Sequence, residues 1–174
     1  MALTLVVETG EGLSDANSYA TLVEAETYHD TIPTTWRGMW LDASDADKEV
    51  CLVRATSLLD QLCPWLGDAV TTGQTLRWPR SGVYTRDGLL LADDAIPQWL
   101  KDATSEFGRC LLESNRPAAV EEREIVSRTD GASPISTSVT WASGGNLRRG
   151  ILPPSVRSIV RPYCSLGSAG IVRT

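Results

Sequence analysis

The densest chemistry in this 174-residue chain lies in Arg77-Trp78-Pro79-Arg80, where an aromatic ring stands between two guanidinium groups. A ring and a cation at short spacing are what unpaired nucleic acid recognises, with a base stacking on the ring and a phosphate meeting the cation. Proline removes a backbone donor and drives the residue before it into an extended conformation, so Trp78 is held outside any helix. An aromatic fixed in this way is a packing anchor first and an outside contact second, and the expectation is that Trp78 pins this connector to its own protomer while Arg80 and the Asp87-Gly88 turn reach outward to a neighbour.

Other chemistry is thin. The single histidine, His29, follows Glu26 at the i, i+3 spacing of carboxylate-bridged metal sites, but no second such pair exists to complete one. Cys51, Cys63, Cys110 and Cys164 form no C-x-x-C pair and no zinc spacing, so they read as reduced, buried apolar fillers. His29 stands beside no G-x-S-x-G nucleophile signature, no P-loop is present, and Gly10-Glu11-Gly12 lacks the third glycine of a dinucleotide site. Carboxylate pairs such as Asp93-Asp94 and Glu121-Glu122 belong to a generally acidic surface. The expectation is a protein that is not an enzyme and takes no cofactor or metal.

Charge is segregated along the chain. The net charge is -6, yet from Met1 to Leu76 twelve acidic residues face three basic ones, while from Gly131 onward there are five arginines and no acid. An acidic body opposes tight coating by a polyanion, whereas Arg148, Arg149, Arg157, Arg161 and Arg173 can meet phosphate or an acidic protein face. No apolar run approaches the ~20 residues of a membrane span, and the N-terminus lacks the pattern of a signal peptide, which predicts a cytosolic protein at synthesis that engages no membrane.

The elements that position these residues are mostly helical. Thr21 and Glu24 fit a capping box for a helix over 22–30, with Leu22, Ala25, Tyr28 and Ile32 on its core face and His29 in the last turn, where a protonated imidazole suits the helix dipole. Trp36 and Trp40, four apart, are expected on one side of a short turn. Ser44 caps a second helix over 45–63, apolar around so much of its girth that a central place in a bundle or a subunit contact must cover it. Arg86-Asp87-Gly88 marks a turn within an irregular hairpin over 82–91. Ile96-Pro97 starts a third helix to about residue 114, and Pro153-Pro154 a short fourth. Between them, period-two patterning over 121–141 predicts a β-hairpin. The fold class is mainly α: a small bundle of three to four helices over 18–114, a hairpin over 121–141, a C-terminal helix over 153–163 and an extended arm, with 1–163 as one domain and 164–174 as a flexible tail. Over-apolar helices, an incomplete hairpin and a polarised charge together suit a protomer of a ring or filament.

The blocks SYATLVEAETYH, LRWPRSGVYTRDG, IPQWLKDA and LPPSVRSIVRPY, in that order, resemble a group of tailed-phage proteins labelled DnaT-like single-stranded-DNA-binding proteins and similar to head-to-tail adaptors, or connectors. The adaptor side of that resemblance implies a structural virion protein, about twelve copies of which form a homo-oligomeric ring joining the portal to the tail and continuing the DNA channel. Its implied partners are the portal protein, a tail, tail-terminator or nozzle protein, and double-stranded DNA that passes without sequence-specific binding. Its implied location is the virion neck, with the host cytoplasm during assembly. The expected portal or subunit contacts are Trp78, Arg80, Asp87, Arg148, Arg149, Arg157, Arg161, Tyr163 and Arg173. The adaptor is the expectation adopted, and the alternative is a single-stranded-DNA-binding accessory of replication.

Overall fold

The computed structural model describes residues 3–114, 125–130, 137–141 and 151–165. In chain order its helices are α1 (Leu22–Asp30), the single turn α2 (Met39–Asp42), α3 (Asp45–Leu62), α4 (Gln98–Glu113) and α5 (Pro154–Val160). Two antiparallel pairs accompany them, β1 (Asp68–Ala69) with β2 (Arg80–Ser81) and β3 (Ile125–Asp130) with β4 (Thr137–Trp141). The protein is mainly α with a two-stranded hairpin, as the periodicities predict.

Local chemistry sets the helix ends. The Thr21 hydroxyl accepts from the Glu24 amide at 3.1 Å while the Glu24 carboxylate accepts from the Thr21 amide at 2.8 Å, closing the capping box of α1. Ser44 accepts from the Asp47 amide to start α3, and Pro64 follows its last turn. α5 begins on Pro153-Pro154 and runs into a 3-10 turn at Arg161–Tyr163. Before α1 the chain doubles back: Val6 and Glu8 exchange backbone bonds with Asn17 and Ser18, and the buried Glu8 carboxylate accepts from the amides of Gly10, Gly12 and Leu13 at 2.8–2.9 Å.

α4 is the hub, with α1, α2, α3 and α5 all packed on it. The main core gathers Tyr19, Leu59, Trp78, Leu100, Phe107, Val156 and Val160, and a smaller one joins Ala25, Trp40 and Leu52. α3 turns Leu52, Ala55, Leu58, Leu59 and Leu62 inward, whereas Val50 is exposed. The bundle thus covers the inward face of α3, while the flank at Val50 remains uncovered.

Two local expectations are corrected. Trp36 and Trp40 do not share a face: Trp40 is buried and Trp36 is 69% exposed. Four-residue spacing aligns side chains only along one continuous helix, and Gly38, at φ 53°, breaks the phase between the 3-10 turn at Thr34–Trp36 and α2. His29, in turn, faces inward. Its Nε2 lies 3.2 Å from the Ser105 carbonyl oxygen, its ring centroid is 4.3 Å from that of Trp40, and burial lowers its pKa to about 4. The imidazole is therefore neutral near pH 7, with Nε2 carrying the proton it donates to Ser105, and adds no charge to the helix dipole.

Candidate nucleic-acid interface

The Arg77–Arg80 stretch is held from beneath by α3. Asp60, in the last turn of that helix, accepts from the Tyr19 hydroxyl at 2.7 Å, the Trp65 indole at 3.0 Å and the Arg77 amide at 2.9 Å. The Tyr19 oxygen in turn accepts from the Trp78 amide at 3.2 Å. Burial raises the Asp60 carboxyl above its usual range against these bonds, and raises the Tyr19 phenol well above its own.

Trp78 has no exposed surface. Its ring stands edge-on to Trp65 at 6.1 Å and to Trp99 at 5.4 Å, and Trp99 stacks flat on Tyr163 at 3.9 Å and 6°. The Trp78–Pro79 peptide is cis. Trp78 is the packing anchor expected of it: no face remains for a base.

Arg80 is engaged within its own chain. Its guanidinium donates to the carbonyls of Leu66 at 2.7 Å, Arg77 at 3.1 Å and Gly67, and burial lowers its pKa. It fastens the loop after α3 to the Arg77–Arg80 stretch, beside the β1–β2 pair. The same loop takes up the C-terminal segment, since Leu66 donates to the Tyr163 carbonyl at 3.0 Å and Ser165 to that of Pro64 at 2.9 Å. Segments 64–67, 77–83 and 161–165 thus form one end of the bundle, where α3 finishes.

What this end presents outward differs from what holds it. Arg77 and Arg161 are exposed. From Val83 the chain enters a short hairpin closed by Thr85 and Leu89, with Tyr84 paired to Leu90 and Gly88 supplying the positive φ of the turn. Val83 is buried and Tyr84 is 59% exposed, the alternation of an extended segment, and Arg86 and Asp87 are exposed in the turn. Tyr84 went unnoticed in the sequence; the Val83-Tyr84 step beside Arg86 is the signal that could have found it. An exposed ring with cations on the same body is what a base and its phosphates can use.

Of the remaining sequence candidates, Arg157 donates to the Leu152 carbonyl at 3.1 Å, and Tyr163 is half-buried in its stack with Trp99. Arg148, Arg149 and Arg173 lie outside the described residues. Four acidic residues, Asp42, Asp45, Asp47 and Glu49, surround the start of α3, about 27 Å from its end at 1.5 Å per residue over 18 residues, while Asp68 and Asp87 are exposed among the arginines of the far end. Glu26 is bound to Lys48 at 2.6 Å and to the Trp40 indole at 3.3 Å. Among the described residues, no three His, Cys, Asp or Glu side chains are grouped to hold a metal.

A family model described as "Putative DnaT-like ssDNA binding protein" matches residues 3–174. No curated protein and no solved structure matches the chain. The connector expectation, with its virion ring, its portal and tail partners and its channel of duplex DNA, is corrected by this match, which carries single-stranded-DNA binding and no head-to-tail role. Several of the physical features that favoured it have local explanations: the inward face of α3 is covered inside the bundle, Arg80 fastens two loops of its own chain, and Tyr163 stacks on Trp99. From residue 3 to residue 174, the chain belongs to the DnaT-like single-stranded-DNA-binding family.

Proposed function

We propose that this protein binds single-stranded DNA through the arginine-bearing end of the bundle, as an accessory of replication. The observation that carries the reading is membership of the DnaT-like family along nearly the whole chain. The geometry supports it in a specific form. Tyr84 offers a ring to one unpaired base, and Arg77, Arg86 and Arg161 offer charge to the phosphates on either side. The buried layer below, from Asp60 to Trp78 and Arg80, keeps that surface in shape without touching the strand. Trp78 is a positioning residue in this account.

The net charge of -6 fixes the character of the binding. With an acidic body, affinity must come from a few local contacts and be sensitive to salt. Three phosphate contacts on a single strand give a slope of log K against log salt of about -2, or roughly a fifteen-fold loss between 50 and 200 mM. Fluorescence anisotropy of a labelled single-stranded oligonucleotide, titrated across that range, measures this directly. Binding with that slope, and weaker binding of a duplex of the same length, is the expected result. Absence of binding at 50 mM salt, or equal affinity for the duplex, refutes the proposal.

A further inference from the structure

We infer that Cys63 and Cys164 are a disulfide-forming pair, a modification site that locks the C-terminal segment onto the end of α3. Both thiols are free and buried in the main core, at 2% and 6% exposure. The segments carrying them run antiparallel, with Trp65 bridged to Cys164 and Ser165 bonded to the Pro64 carbonyl at 2.9 Å. The two side chains lie in the same core cluster and each perturbs the other's ionisation, while the Cys164 thiol donates to the Val160 carbonyl at 3.2 Å. The neighbouring Cys164 and burial in the core raise the Cys63 thiol above its usual range, so neither sulfur ionises readily while the segment stays closed.

The co-reactant is a low-molecular-weight disulfide such as oxidised glutathione. One of the two thiols loses its proton to solvent and, as the thiolate, attacks one sulfur of the reagent, forming a mixed disulfide and expelling one thiolate, which takes up a proton. The other thiol then loses its proton and attacks the protein sulfur of that mixed disulfide, expelling the second thiolate, which is protonated in turn. Two protein thiols are oxidised, one disulfide reagent is reduced to two thiols, and the electrons balance. Because both sulfurs are covered, the first step waits for segment 163–165 to lift from residues 64–66, a local opening that breaks only a few backbone bonds. The bond formed closes a loop of roughly 100 residues that contains α4, and restricts the unfolded chain accordingly. This inference does not depend on the DNA-binding reading.

The test uses the full chain, incubated with oxidised glutathione at pH 8, quenched with iodoacetamide, and read by intact mass and a non-reducing peptide map. The expected product has lost the mass of two hydrogens, links the peptides of Cys63 and Cys164, and unfolds at a urea midpoint higher by roughly 1–2 M. Cys63→Ser and Cys164→Ser are each expected to halt at a mixed disulfide on the remaining cysteine of the pair. A wild-type protein that keeps all four thiols alkylatable, or that links Cys51 or Cys110 instead, overturns the inference whether or not either serine variant folds.

Discussion

Replacing Trp78 with alanine separates the anchor from the interface. A fully buried tryptophan removes roughly 150–250 Å² from water, and truncations of this kind cost about 3–5 kcal/mol once the cavity is included. Trp78 belongs in the upper half of that range. It has no exposed surface, and Trp65 and Trp99 both meet it edge-on, so its loss strips contacts from two further indoles. Against a total stability on the order of 5–15 kcal/mol, about 4 kcal/mol leaves a protein that folds but is marginal. With a urea m-value near ~2 kcal/mol/M, the midpoint falls by about 2 M in a far-ultraviolet circular dichroism titration. Trp78→Phe is the sharper companion. The Trp78 Nε1 has no hydrogen-bond partner among the described residues, so phenylalanine forfeits no bond and costs only the lost ring volume, about 1–2 kcal/mol. Oligonucleotide affinity per folded molecule is expected to stay within two-fold in both variants, by the order-of-magnitude scale of indirect effects. A Trp78→Ala midpoint within 0.5 M of wild type, on the same ~2 kcal/mol/M scale, would refute the packing account, and a selective loss of DNA affinity from the phenylalanine variant would return Trp78 to the interface.

Four further outcomes follow from the geometry. Tyr84→Ala is expected to lower oligonucleotide affinity by about 1–2 kcal/mol, roughly five- to thirty-fold, with an unchanged salt slope, while Arg77→Ala makes that slope shallower by about 0.7; anisotropy titrations across salt read both. Trp36→Ala, at an exposed ring away from the arginine-bearing end, is expected to stay within about 0.5 kcal/mol of wild type in stability and to leave DNA binding unchanged. His29 is neutral in the fold with its pKa lowered from 6.5 to about 4, so the unfolded chain binds the extra proton between those values; stability is complete above pH 6.5 and falls by about 2–3 kcal/mol as pH drops towards 4. Glu24 and Glu26, with lowered pKa values, add to the loss below about pH 4.5, and Asp60, with a raised one, opposes it, so the difference between the pH–stability curves of wild type and His29→Gln isolates the histidine. Lys48→Ala leaves Glu26 without its ion pair and uncovers Trp40, and is expected to cost about 2 kcal/mol by urea unfolding.

The helices were legible because their signals are local. Thr21 with Glu24, Ser44 with Asp47, and the prolines at 64, 97 and 153 each act within a turn or two of the boundary they set, and α1, α3 and α5 begin where those residues place them. The hairpin β3–β4 likewise follows from period-two patterning. What escaped the sequence depends on partners far along the chain. Arg80 meets carbonyls 13 and 14 residues away, Asp60 receives a hydroxyl from 41 residues away, and His29 finds Ser105 across 76. No spacing rule carries such information. Reading Arg80 as an outward contact and His29 as a dipole partner assumed that a charged or titratable side chain faces water; both are instead satisfied by backbone carbonyls inside the fold. The functional misreading had the same root, since apolar breadth on α3 marks burial without saying whether its own chain or another supplies the cover.

Among the described residues, Asp42, Asp45, Asp47 and Glu49 around the start of α3 outnumber the neighbouring Lys48. Beyond its end Arg77, Arg80, Arg86 and Arg161 outnumber the exposed Asp68 and Asp87, an asymmetry that acts as a weak compass needle in the field of a polyanion. A strand approaching at low salt exerts a torque before any contact, turning the arginine end towards it and the acidic end away. Encounters are therefore pre-oriented, and raising ionic strength should slow association by removing that alignment as well as by weakening the final contacts.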